Sequence, residues 1–75
     1  NEILVFNNQD VLTVLSSKEK IKSIAVFDAL GRKIVATDNI NETQFSFSNL
    51  KKSNTLLIVN IEDVKGNKIS KKVIF

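Results

Sequence analysis

The stretch Asp28-Ala29-Leu30-Gly31-Arg32-Lys33-Ile34 is echoed at Asp63-Val64-Lys65-Gly66-Asn67-Lys68-Ile69, with Asp, Gly, Lys and Ile at matching positions. In each copy an Asp opens the segment, where its carboxylate accepts backbone N–H bonds at the first position of a type I turn. Further on, Gly takes the left-handed backbone conformation that closes a three-residue hairpin loop with a bulge. Each segment therefore predicts a hairpin. Such a loop sets Val26 opposite Ile34 and Ile61 opposite Ile69, which puts apolar residues on one face in both hairpins. Because only turn positions match, the echo reads as two hairpins with shared turn chemistry and not as an internal repeat.

Outward from these turns, apolar and β-branched residues come in short runs separated by turn formers, and no run sustains a helical period. The runs predict strands at Ile3–Phe6, Val11–Leu15, Ile21–Asp28, Lys33–Thr37, Gln44–Phe47, Thr55–Asp63 and Lys68–Phe75. Seven short strands suit an all-β sandwich. Ile24, Val26 and Asp28 share one face of the third strand, and Leu57, Val59 and Ile61 share one face of the sixth. Ala25, Phe27 and Ile58 face the other way, so these central strands are expected to be apolar on both sides. A single helical turn would fit Ser17–Lys22, but the polarity of that segment suits an exposed connection better.

With 75 residues, the chain has room for one domain and one core. There is no Cys and no Cys/His cluster, so burial and strand pairing must hold the fold without a disulfide or zinc. The longest apolar runs, of which Leu56–Val59 is one, fall far short of the roughly 20 residues a membrane-spanning helix needs. Asn1-Glu2-Ile3 shows no basic segment leading into an apolar stretch, so an N-terminal export address is expected only in a longer parent chain. The net charge of +3 sits late: Lys51, Lys52, Lys65, Lys68, Lys71 and Lys72 against Glu62 and Asp63 give the last third +4. Basic stretches attract nucleic acid or anionic lipid, yet Trp and Tyr are absent and the five Phe all lie within the expected strands. A solvated strand face is expected here, without nucleic-acid binding.

Catalysis finds little material. The chain has no His and no Cys, which excludes the usual triads and thiol chemistry. Asp28 and Asp63 are committed to turn capping, while Glu62 and Asp63, adjacent on a strand, point to opposite faces. No catalytic residue, cofactor or metal is expected. The loop Asp38-Asn39-Ile40-Asn41-Glu42 offers oxygen donors at alternate positions but lacks the central Gly and dense acidic ligands of a calcium loop, so it reads as a solvated turn. Asn41-Glu42-Thr43 fits the N-glycosylation triplet, a pattern that arises often by chance.

The segment Ile24-Ala25-Val26-Phe27-Asp28-Ala29-Leu30-Gly31-Arg32-Lys33-Ile34 resembles the C-terminal sorting domain of the Por (type IX) secretion system of Bacteroidetes. Members of that family carry an apolar strand and then Tyr/Phe-Asp-x-x-Gly-Arg/Lys-x-apolar. Leu50, Ile58-Val59-Asn60-Ile61-Glu62, Gly66-Asn67 and Lys71-Lys72-Val73-Ile74-Phe75 resemble the family's later strands and its basic-then-apolar ending, in order and at similar spacing. The likeness covers most of residues 11–75. Two places depart from it: Phe6-Asn7-Asn8-Gln9 stands where the family has aromatic-Pro-Asn-Pro, and Thr55-Leu56-Leu57 where it has Gly-x-Tyr. Leu57 still fills an inward position and Thr55 is a good strand former.

The resemblance implies an Ig-like, seven-stranded antiparallel β-sandwich. Residues 1–75 would be a single C-terminal domain excised from a larger cargo protein. The domain would be non-catalytic, guiding its cargo through the periplasm and across the outer membrane to the cell surface or medium without itself inserting into the membrane. Its partners would be outer-membrane translocon components and a sortase-like cysteine protease. For that role Lys71 and Lys72 are expected to steer an acidic partner, and Val73, Ile74 and Phe75 to supply buried contacts along an edge open to strand addition. Asp28, Gly31, Arg32, Asp63, Gly66 and Asn67 are structural turn residues. A plainer role for the Lys pair is to guard an edge strand against aggregation. The main competing function is a carbohydrate-binding or adhesion module, which needs exposed aromatics that the apolar runs do not advertise. A structural spacer is the third.

Overall fold

Inward and outward side chains alternate along the strands, interrupted by register shifts on the strand Ile21–Asp28, and that alternation builds two layers. The computed structural model describes residues 3–75; Asn1 and Glu2, which open the segment read above for an export address, lie outside the described residues. The strands are β1 (Ile3–Asn8), β2 (Val11–Ser16), β3 (Ile21–Asp28), β4 (Lys33–Thr37), β5 (Gln44–Phe47), β6 (Leu56–Asp63) and β7 (Lys68–Ile74). They form two antiparallel sheets, ordered β1-β2-β5 and β4-β3-β6-β7. All seven expected strands are present, with β1 and β2 running further to Asn8 and Ser16, β6 starting at Leu56 instead of Thr55 and β7 ending at Ile74 instead of Phe75.

The layers meet through their period-2 apolar rows. Leu12 and Val14 of the smaller sheet face a core that also holds Ile24, Val26, Leu57, Val59 and Ile61 of the larger one, and Ile3, Ile21, Phe47 and Phe75 complete it. On β5, Phe45 and Phe47 lie on the same face and pack edge to face, with ring centroids 4.9 Å apart. On the outer faces Ala25, Phe27 and Ile58 are half-buried. Three connections cross between the layers, β2 to β3, β4 to β5 and β5 to β6, and the first two are fastened by hydrogen bonds. Residues 17–20 form an exposed link without helix, fastened where Val64 N–H donates to Lys20 C=O and Ser16 Oγ–H to Glu19 C=O. The loop after β4 is fastened to the start of β3, where Ile40 and Asn41 N–H donate to Lys22 and Ile21 C=O.

One expected register is corrected. Ile61 does lie opposite Ile69, but Val26 lies opposite Val35 and not Ile34. A bulge between Val26 and Phe27 shifts the β3–β4 pairing by one residue, and a shift by one exchanges the faces. Val35 thereby packs against the core, while Ile34 is left exposed at the edge of the sheet. A third hairpin joins β1 to β2 through Gln9 and Asp10, at φ 53° and 66°. Positive φ at both loop residues is the backbone of a type I′ turn, which here forms without glycine.

Candidate functional site

The two glycine turns are near copies in three dimensions. In the first, Gly31 N–H donates to Asp28 C=O at 3.0 Å, and Asp28 N–H donates to Arg32 C=O at 2.9 Å. The second repeats this with Gly66 to Asp63 and Asp63 to Asn67, both at 3.0 Å. Gly31 and Gly66 sit at φ 87° and 90°, where a Cβ is disfavoured, as the sequence required. Asp28 Oδ1 accepts the backbone N–H of Leu30 and Arg32, and Asp63 Oδ1 those of Lys65 and Asn67. The other carboxylate oxygen takes a side chain in each case: Arg32 Nε at 2.8 Å and Asn67 Nδ2 at 3.0 Å.

Those donors hold both carboxyl groups below the usual aspartate pKa. For Asp28 the Arg32 backbone N–H acts most, with the Arg32 side chain and the Leu30 N–H adding to it against desolvation. For Asp63 the Asn67 side chain leads, and the Asn67 and Lys65 backbone N–H groups add to it, again against desolvation. All six turn residues singled out from the sequence are thereby brought together, three to each turn. Their chemistry is that of backbone fixation.

The terminal segment divides by face. Ile69, Lys71 and Val73 are half-buried, whereas Lys68, Ser70, Lys72 and Ile74 are exposed, Ile74 to 56%. β7 is an edge strand of the larger sheet, and β1 of the other sheet packs near it. Phe75 does not fit the expectation of a contact residue for a partner. It is 1% exposed within the core, its N–H donates to Thr55 C=O, and its C=O accepts from Ser53 and Asn54 N–H. In the folded domain the apolar contact available beside Lys72 is therefore Ile74. Lys71 reaches solvent along a half-buried stem.

A second surface was not foreseen. On β1 the core takes Ile3 and Val5, so Leu4, Phe6 and Asn8 point outward, with Leu4 61% and Phe6 37% exposed. Phe6 is thus a partly exposed aromatic that its all-apolar run did not advertise. Across the outer face of the smaller sheet Phe6 lies beside Thr13 and Thr13 beside Ser46, while Leu4 lies beside Leu15 and Leu15 beside Gln44. Phe6, Thr13, Leu15, Ser46, Gln44, Asn8, Gln9 and Val11 line a shallow groove of about 280 Å³.

Compared with known proteins, residues 1–75 match the family described as Domain of unknown function (DUF8694). No curated protein matches the chain.

Proposed function

The chain belongs to this family of unknown function, and we propose that it is a non-catalytic C-terminal sorting domain, an address that sends a larger cargo protein through a type IX outer-membrane secretion system. The observation that carries this reading is the place of the segment that resembles the sorting family's ending. That segment is an edge strand, with Lys72 and Ile74 on its exposed face next to the outward Ile58 and Leu56 of β6. A cation beside an apolar side chain on a strand edge suits an acidic partner that adds contacts along the strand.

The strand orders support the finer, Ig-like reading of the fold. Strands β1-β2-β5 correspond to A-B-E of that arrangement, and β4-β3-β6-β7 to a second sheet in which the fourth strand pairs with the third. The Phe27-Asp28-x-x-Gly31-Arg32 segment supports it through mechanics, since each of its polar members fixes the hairpin between β3 and β4.

The test is delivery. A periplasm-directed reporter bearing residues 1–75 at its C-terminus, in a bacterium that has a type IX system, is expected on the cell surface. The same reporter without the domain stays in the periplasm. Lys72→Glu with Ile74→Asp should lower surface delivery severalfold while the domain stays folded. Equal partitioning of the reporter with and without the domain would end the sorting proposal.

A further inference from the structure

We propose that the outer face of the β1-β2-β5 sheet is a binding site for a neutral saccharide. None of the eight residues lining its groove carries a charge, in a chain with eleven cationic and eight anionic side chains. By contrast, the broad trough on the larger sheet is edged by Lys22, Asp38, Glu62 and Lys68. A carboxylated or phosphorylated ligand would find no counter-charge among the residues that line this groove. An uncharged one meets no unpaired ion.

What the face offers is an apolar platform ringed by groups that donate and accept hydrogen bonds at once. Phe6 presents part of its ring to solvent, and Leu15 and Val11 extend the apolar floor beside it. The electron-rich face of an aromatic ring attracts the weakly positive C–H bonds on one side of a pyranose. The same groove is lined by Asn8, Gln9 and Gln44, whose amides can each donate through nitrogen and accept through oxygen, as a sugar hydroxyl requires. In the floor, Thr13 Oγ1 and Ser46 Oγ lie 3.2 Å apart in a mutual hydrogen bond. One of the two hydroxyls must donate to the other, which leaves the second proton of the pair for a further acceptor.

Backbone strain falls at the same place. Gln9 and Asp10 hold left-handed conformations that Asn-Gly would adopt more easily, and this turn is what carries the Gln9 amide to the end of the groove. At about 280 Å³ the groove is smaller than most sites for drug-sized ligands, which run to roughly 300–1,000 Å³. It suits one sugar ring held openly on a surface, as on a chain of linked sugars, and weak affinity follows from that openness.

Titration of the isotope-labelled 75-residue chain with gluco-, xylo-, manno- and galacto-configured neutral hexasaccharides, followed by amide chemical shifts, tests this. At least one sugar is expected to give saturable shifts confined to β1, β2, β5 and the side-chain amides of Asn8, Gln9 and Gln44. A polygalacturonate hexamer should give none. Phe6→Ala should weaken binding about tenfold or more. Gln44→Ala, at an exposed site with no structural bond to lose, should weaken it severalfold with an unchanged spectrum elsewhere. Three outcomes overturn the proposal: no response to any neutral sugar, responses lying on the larger sheet, or concentration-dependent self-association through Leu4 and Phe6 that sugars do not alter.

Discussion

Asp28 and Arg32 are joined three ways: Asp28 Oδ1 accepts the Arg32 backbone N–H at 2.9 Å, Asp28 Oδ2 accepts Arg32 Nε at 2.8 Å, and Asp28 N–H donates to Arg32 C=O at 2.9 Å. Asp63 and Asn67 reproduce the pattern with an amide in place of the guanidinium. A motif of five positions is thus a closed electrostatic clasp at the end of each hairpin of the larger sheet.

The clasps make folding acid-sensitive in a defined direction. Both carboxyl groups titrate lower when folded than in the unfolded chain, so the folded state binds fewer protons over that interval. Their stabilisation is complete above the unfolded value of about 4 and is lost as pH falls below it, through the depressed folded values. Urea unfolding between pH 7 and pH 2 should show a steep loss below about pH 4, and Asp28→Asn with Asp63→Asn should flatten it. Asn keeps one acceptor for the backbone, so the double variant still folds at neutral pH. Asp63→Ala should cost more melting temperature than Asp28→Ala, because Asp63 is almost fully buried and Asp28 half-exposed.

Gly31 and Gly66 are held by conformation alone. A Cβ at either would meet no atom within 4 Å, so the cost of Ala there is the strain of an L-residue at φ 87° or 90°. Each Gly→Ala substitution is expected to lower stability by about 1–2 kcal/mol, measured by denaturant midpoint. Asn, which tolerates positive φ better, should cost less than Ala. Equal losses for Ala and Asn would point to contact rather than strain.

The clasps were legible from sequence because turn chemistry is local: Asp, Gly and the residues between them fix their own geometry. Facing was legible only where polar residues break the pattern. In Ile3-Leu4-Val5-Phe6 every residue is apolar, so nothing in the run says that Ile3 and Val5 enter the core while Leu4 and Phe6 leave it. That choice is made by Leu12 and Val14 on the neighbouring strand and by the opposite sheet. The same ambiguity hid Phe75 at the end of Val73-Ile74-Phe75. In Lys33-Ile34-Val35 two adjacent β-branched residues compete for one inward position, and packing between the layers gives it to Val35.

That competition has a measurable outcome. Val35→Asp places a charge at a half-buried position against the core and should destabilise by about 2 kcal/mol or more. Ile34→Asp, at an exposed position, should change stability by no more than about 0.5 kcal/mol. Reversal of that order in thermal melts would show that the pairing runs without the bulge.

Phe75 and Ile74 give a sharper contrast between neighbours. Phe75→Ala empties a core site and is expected to cost about 3–5 kcal/mol. A domain this small has roughly 5 kcal/mol or little more to lose. Ile74→Ala should be close to neutral. A truncation that removes Phe75 therefore unfolds the domain as well as removing its exposed edge, and loss of delivery after such a truncation would say nothing specific about Lys72 or Ile74. Circular dichroism melts of the two alanine variants separate the effects.

The β1–β2 turn carries strain that substitution can release. Gln9 and Asp10 occupy left-handed backbone at a two-residue loop where Asn and Gly are favoured. Asp10 makes one exposed ion pair, 3.2 Å to Lys52, of little net value, and the hydrogen bond to Asn7 Oδ1 comes from the backbone N–H of residue 10, which Gly retains. Asp10→Gly is therefore expected to stabilise the fold by roughly 0.5–1 kcal/mol, with Gln9→Asn adding a smaller gain. Gln9→Asn also shortens the amide at the end of the saccharide groove, so it should raise the melting temperature and weaken sugar binding together. Asp10→Gly should raise the melting temperature alone, since Asp10 does not line the groove.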